Sequence, residues 1–240
     1  MLGSSNSVNS FSKPFQPNDI TRCVLAFHAN DGVEVDGSAV VSWQDKSNSA
    51  KCAVAPTAGK RPVDNVTHIT FDGSNDYLAL LGSDKSTASP IELDYSDGGW
   101  TFIAIYTSTD WNGSIQAISG DPDDSQNFIR YRTNDKLEVK AGNSLKTFDL
   151  DTPSALVDNQ YYLIEISRSD GEGVTTIYVD GVAQADTEND QENLTIEEIG
   201  GKGGSANILA GSIKHVIAYD KTLSAAERTQ IVEWSQQHIG

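Results

Sequence analysis

Apolar positions in this chain recur mostly at every second residue, the period that sends successive side chains to opposite faces of a β-strand. The last segment shows it best. Ile213, His215, Ile217 and Tyr219 alternate with Lys214, Val216, Ala218 and Asp220, which reads as a largely buried strand. At Asp220-Lys221-Thr222 the alternation stops, and Ser224-Ala225-Ala226-Glu227 forms a capping box. In such a box the serine hydroxyl takes a free amide of the first turn while the glutamate reaches back. A short helix follows, with Ile231, Val232 and Trp234 on one side and Gly240 as a permissive end. So few turns have little stability of their own, and the helix must lie against something larger.

The same period of two runs through the rest of the chain. Cys23, Leu25 and Phe27 alternate with Val24, Ala26 and His28, and Val66, His68 and Thr70 alternate with Thr67, Ile69 and Phe71. Residues 101–107 are apolar on both faces, as in a central strand covered on each side. Further strands are expected at 114–118, 127–132, 136–140, 146–150, 161–167, 174–179, 182–185 and 195–199, about a dozen in all. Phe71-Asp72-Gly73-Ser74-Asn75-Asp76-Tyr77-Leu78 and Tyr178-Val179-Asp180-Gly181-Val182 read as hairpins, because Asp, Asn and Gly tolerate the positive φ of tight turns. The pattern predicts an all-β, two-sheet antiparallel sandwich with one short C-terminal helix. It spans 19–240, behind a flexible polar arm at 1–18 in which Phe11 and Phe15 could dock onto a neighbouring subunit.

Composition narrows the partners. The chain has 240 residues, 38% of them apolar, enough for one sizeable core. Against 17 basic residues stand 34 acidic ones, a net charge of -17 that repels phosphate backbones and anionic lipid. Nucleic acid and membrane are therefore not expected partners. No apolar run reaches the roughly eighteen residues of a membrane helix, and Met1-Leu2-Gly3-Ser4 does not open an export signal. Cys23 and Cys52 are expected as two buried thiols, being too few for a disulfide framework. The acidity does leave room for calcium, which prefers carboxylate and carbonyl oxygens.

Two short stretches carry candidate binding chemistry. Asp110, Trp111 and Asn112 combine a flat ring with groups that bond sugar hydroxyls, and are expected to bind carbohydrate from an exposed loop. Asp121, Asp123 and Asp124 cluster carboxylates after Gly120 and are the expected calcium ligands, the only cofactor foreseen. His215 lies on a buried strand face and reads as a core residue. The glycine loop 200–204 opens no helix and lacks the Lys-Ser/Thr pair of a phosphate cradle.

Taken in order, several of these pieces resemble the concanavalin A-like, laminin-G-like jelly-roll domains. They are Leu25 to Asp31 leading to Trp43-Gln44-Asp45-Lys46-Ser47, then Phe71 to Leu78, then Tyr178 to Gly181, and finally Gly211-Ser212-Ile213 through Glu227. The resemblance covers roughly residues 20–240. It implies a jelly-roll sandwich whose concave face or edge loops meet carbohydrate or protein, often beside calcium. Relatives that cleave laminarin-like glucans carry Glu-x-Asp-x-Glu on one strand; here Glu165 is followed by Ser167 in the aspartate's place. Lys140-Ala141-Gly142-Asn143 is similar to part of an alginate-lyase strand motif, but Gln116-Ala117-Ile118 lacks the histidine its partner strand needs. The chain is thus expected to be non-catalytic. A domain of this kind with a polar arm looks like a phage virion protein, a decoration or fibre component on the virion surface. Its expected partners are glycans or host-surface polysaccharide, other virion proteins through the arm, and copies of itself in an oligomer. The alternatives are a secreted, extracellular carbohydrate-binding module of a larger enzyme, or a polysaccharide-cleaving enzyme.

Overall fold

The strand Trp100–Ser108 explains the architecture, because every one of its nine residues is buried. Its Trp100, Phe102, Ala104 and Tyr106 enter the main core, whereas Ile103 and Ile105 enter a second, smaller one on the other face. A strand buried on both sides needs a layer on each, and the computed structural model of the chain supplies both. It describes residues 13–239 apart from 112, 123–125, 134, 152, 154 and 204–206.

Among the described residues there are nineteen strands, several very short, and one α-helix. In chain order they are β1 (Cys23–His28), β2 (Val33–Asp36), β3 (Ala39–Gln44), β4 (Lys51–Val54), β5 (Val63–Asp64), β6 (Ile69–Asp72), β7 (Leu78–Gly82), β8 (Ile91–Leu93) and β9 (Trp100–Ser108). Then come β10 (Gln116–Gly120), β11 (Phe128–Arg132), β12 (Lys136–Ala141), β13 (Ser144–Asp149), β14 (Tyr162–Arg168), β15 (Val174–Val179) and β16 (Val182–Asn189). Last are β17 (Leu194–Ile196), β18 (Glu198–Ile199), β19 (Ala210–Tyr219) and helix α1 (Ala225–Ile239).

All pairings are antiparallel. One layer runs β19-β9-β14-β15-β16, with β6 and β1 sharing the free edge of β19. The other runs β2-β3-β4-β7-β18-β10-β11-β12-β13. The main core lies between them and holds Phe27, Trp43, Phe71, Tyr131, Phe148 and Ile166. The short β8–β17 pair adds Ile91, Leu93, Leu194 and Ile196 to it.

Helix α1 lies on the outer face of the first layer, over Ile103, Ile105, Leu163 and Ile217. Ile231 and Trp234 are its buried anchors, and the capping box forms as expected, Ser224 N–H donating to Glu227 Oε2 at 3.0 Å. Arg228 ties the helix to the sheet through a bidentate contact with Glu165, whose side chain is 1% exposed. The segment before β1 packs beside the helix: Phe15 joins its apolar cluster and Tyr219 donates to the Pro17 carbonyl at 2.9 Å. So Phe15, one of the two expected docking residues of the arm, touches its own chain, while Phe11 lies outside the described residues.

Asp180 and Gly181 take φ of 50° and 82°, the doubly positive pair of a type I′ hairpin. The expected hairpin at 71–78 is not one. Asp72 accepts the amides of Ser74, Asn75 and Asp76, so the turn forms, but β6 pairs with β19 and β7 pairs with β4 and β18. The turn carries the chain from one layer to the other, because Phe71 and Leu78 each complete a different sheet. Both cysteines are free thiols, Cys52 buried and Cys23 half-buried.

Candidate functional site

Trp111 does not present its ring to solvent. It is fully buried, set edge-on against Tyr131 at 4.7 Å, Tyr106 at 5.2 Å and Tyr162 at 6.0 Å between centroids. Its Nε1–H donates to the Val157 carbonyl at 3.0 Å and its amide to Asp158 Oδ1 at 2.8 Å. An aromatic cluster at the end of the sandwich gains more by taking the indole in than solvent does by wetting it. Of the expected sugar-binding trio, Asp110 is exposed, Trp111 is not, and Asn112 lies outside the described residues. Trp111→Phe should therefore cost about 1–2 kcal/mol of stability by removing the indole hydrogen bond to the Val157 carbonyl, which keeps the Gln160 amide, and part of the ring packing. A urea midpoint unchanged from the parent would contradict this placement.

Asp121 is buried, its Oδ2 accepting the Asn127 amide at 2.7 Å and its carbonyl the Gly203 amide at 2.8 Å. Its Oδ1 is buried without a hydrogen-bond partner among the described residues. An orphaned carboxylate oxygen suits one ligand position of a hard cation. The other two expected ligands, Asp123 and Asp124, lie outside the described residues, and among the described residues no three metal-ligating side chains converge.

What the sequence reading missed is the outer face of β11, β12 and β13. Ile129, Tyr131, Leu137, Val139 and Phe148 point into the core, so the residues between them point out. Cross-strand pairing lays these out as three rows. Phe128, Lys140 and Leu145 form one, Arg130, Glu138 and Thr147 the next, and Arg132, Lys136 and Asp149 the third. At the centre is Glu138, fully buried, receiving Arg130 Nε at 2.6 Å and Arg132 Nη1 at 2.8 Å. Arg130 also lies over the Phe128 ring at 4.4 Å, and Lys202 approaches that ring at 4.8 Å. One carboxylate thus orients two guanidiniums on a rigid sheet. The only sequence signal was charge alternating with apolar residues along 128–132 and 136–140, which says that a face is exposed, not what it meets.

The remaining buried acids are engaged. Glu165 is paired with Arg228 beneath α1, where burial still raises its pKa, and Asp190 is paired with Arg168 at 3.1 Å. Asp76 is pushed up to about 6 by burial and by neighbouring Asp72, but both belong to the crossover turn. Beneath the helix, His28 and His215 meet Nδ1 to Nδ1 at 2.9 Å, packed against Trp234. His215 is a core residue as expected, and its partner comes from β1.

Residues 72–227 match the family model of the concanavalin A-like lectin/glucanases superfamily. No curated protein sequence matches the chain. Among solved structures it is similar to a Trypanosoma rangeli sialidase in complex with 2,3-difluorosialic acid, with a TM-score of 0.61 and 15% identity over 92% of this chain and 34% of that one. It is also similar to the receptor-binding domain of botulinum neurotoxin C/D mosaic serotype, with a TM-score of 0.56 and 14% identity over 90% of this chain and 52% of that one. The chain thus spans about a third of the sialidase and about half of the toxin domain, and the likeness is one of fold.

Proposed function

Given that this chain belongs to the concanavalin A-like lectin/glucanases superfamily, we propose that it is a non-catalytic recognition module that binds glycans. The carrying observation is the β11–β12–β13 face, where Glu138 holds Arg130 and Arg132 in fixed orientation beside Phe128, Thr147 and the exposed Leu145. Sugars are recognised by such a mixture, with planar hydrogen-bonding groups for hydroxyls and apolar surface for ring C–H groups. Support for a non-catalytic role comes from three of the buried carboxylates: Glu138, Glu165 and Asp190 each sit in an ion pair, where an acid–base pair needs to face the scissile bond. Two neighbours of the same fold, a sialidase in complex with a sialic acid derivative and a toxin receptor-binding domain, support the recognition part of this reading.

Calcium enters this proposal at Asp121 through its unpartnered Oδ1, with Asp123 and Asp124 close by in sequence. The setting we assign is a virion surface, where a charge of -17 keeps crowded copies apart. One experiment tests the reading: calorimetric titration with a panel of neutral and acidic oligosaccharides, with calcium or with chelator, alongside an assay for new reducing or unsaturated ends. Binding without product formation is expected, and tighter binding with calcium. Product released at enzymatic rates would sink the non-catalytic reading, and no binding by any saccharide would sink recognition.

A further inference from the structure

Resting on that reading, we infer that the β11–β12–β13 face selects acidic saccharides, with Arg132 and Lys136 at one end of the face as the residues that receive the sugar carboxylate.

Charge makes the first argument. Within the nine positions stand four cations, Arg130, Arg132, Lys136 and Lys140, against two carboxylates, Glu138 and Asp149. The chain as a whole carries twice as many acids as bases, so a face with a local positive excess runs against its composition. Such a patch attracts an anion over a range of about 8–10 Å at ordinary ionic strength.

Availability makes the second. Glu138 is 0% exposed and engages one nitrogen of each arginine. Arg130 is further held over Phe128 and is 16% exposed, so it serves chiefly as support. Arg132 commits only Nη1 to Glu138, and its side chain is 50% exposed, leaving a pair of guanidinium donors toward solvent. A planar fork of that kind matches a carboxylate bidentately, where a hydroxyl would take one bond. Lys136 stands directly across from Arg132 in the β11–β12 register and is 37% exposed, its ammonium leaning on the 59% exposed Asp149. A surface ion pair of that sort is worth little and yields readily to an incoming carboxylate.

Geometry makes the third. The two cations lie on adjacent strands about 5 Å apart in the sheet, the span of a single sugar carboxylate with its ring oxygen. The central row then offers Thr147 for a hydroxyl, and Leu145 at the far row, 47% exposed and roughly 14 Å or more away, offers apolar contact to a further sugar along an oligosaccharide. At the Phe128 end the neighbouring charged side chains Glu198, Asp121 and Lys202 are buried, whereas Arg132 is half exposed, so the anion belongs at the Arg132 end.

The test is calorimetric titration with sialyllactose and oligogalacturonate against lactose and laminari-oligosaccharides, at low and moderate salt. The acidic sugars should bind at least ten-fold more tightly, and that preference should shrink as salt rises. Lys136→Gln, a surface change outside the Glu138 pairing, should remove most of the preference while leaving the melting temperature and any neutral-sugar affinity unchanged. Arg132→Gln should remove the preference too, but with a lower melting temperature and weaker neutral-sugar binding, because it takes the partner from Glu138 Oε1. Equal affinity for acidic and neutral sugars, or variants that keep the preference, would overturn the inference while leaving glycan recognition standing. Failure of every sugar to bind would remove both.

Discussion

Acidification from about pH 7 to about pH 4.5 should cost the fold on the order of 4 kcal/mol, through two buried histidines. Burial pushes His28 down to about 4 from its ordinary 6.5, and pushes His215, crowded as well by His28, His238 and Lys214, down to about 2. The cause is visible in the contacts. The two Nδ1 atoms lie 2.9 Å apart, so one ring must donate and the other accept, and a proton on the acceptor breaks the pair. His28 Nε2 is buried without any partner, and Lys214 donates to the His238 carbonyl from the same side. Because both folded values lie below the unfolded one, the stabilisation is complete above 6.5. It is lost as the pH falls from there toward 4 for His28, and further still for His215. Net charge alone predicts the reverse, since protonating carboxylates relieves a charge of -17. Unfolding curves at stepped pH decide which effect wins, with a His28→Leu/His215→Met double variant as the control. Trp234 touches both rings, so its fluorescence should report the loosening of α1 directly. A parent protein equally stable at both pH values, or a double variant with the parent's acid slope, would contradict this account.

The histidine pair also marks the boundary of what the residue pattern could reveal. Alternation within a segment was enough to find β9, β19, the Asp180-Gly181 hairpin and the Ser224–Glu227 cap, because each depends on neighbours a few residues away. His28 and His215 are 187 positions apart and meet only through the β1–β19 register, which no local period encodes. The turn after Phe71 failed for a related reason. Its Asx bonds are local and were legible, but whether the next strand pairs back or crosses over depends on which sheet lacks an apolar strand. Strand β16 was expected to stop at 185 yet runs to Asn189, since Thr187 and Glu188 pair with β15 across a bulge and polar residues are tolerated where that layer faces solvent. Trp111 was misplaced because a tryptophan in a polar loop looks the same in sequence whether its ring turns outward or inward. The recognition face was half legible: alternation marked 128–140 as a strand pair, but only the register shows that Arg130 and Arg132 converge on Glu138.

Replacing Arg168 with methionine should be among the most damaging single changes available, costing about 3–5 kcal/mol. The guanidinium is 0% exposed at the junction of β9, β14 and β15, over the Trp100 ring at 4.8 Å. Its Nε donates to Thr175 Oγ1 at 2.9 Å, Nη1 to the Glu192 carbonyl at 2.6 Å and Nη2 to Asp190 Oδ2 at 3.1 Å. Burial lowers its pKa, yet an arginine stays charged, so the Asp190 carboxylate, 2% exposed, has a permanent counter-ion. Removing the arginine strands that carboxylate and frees the chain at 190–192, the lead-in to β17. Arg168→Lys should be nearly as harmful, because a point charge cannot satisfy three acceptors in different directions. The double variant Arg168→Met/Asp190→Leu should recover a large part of the loss, since an apolar pair leaves no charge uncompensated. Urea denaturation followed by circular dichroism measures all three. A single methionine variant within about 1 kcal/mol of the parent, or a double variant no better than the single, would mean that the pair contributes packing alone and that the charge balance at this junction is immaterial.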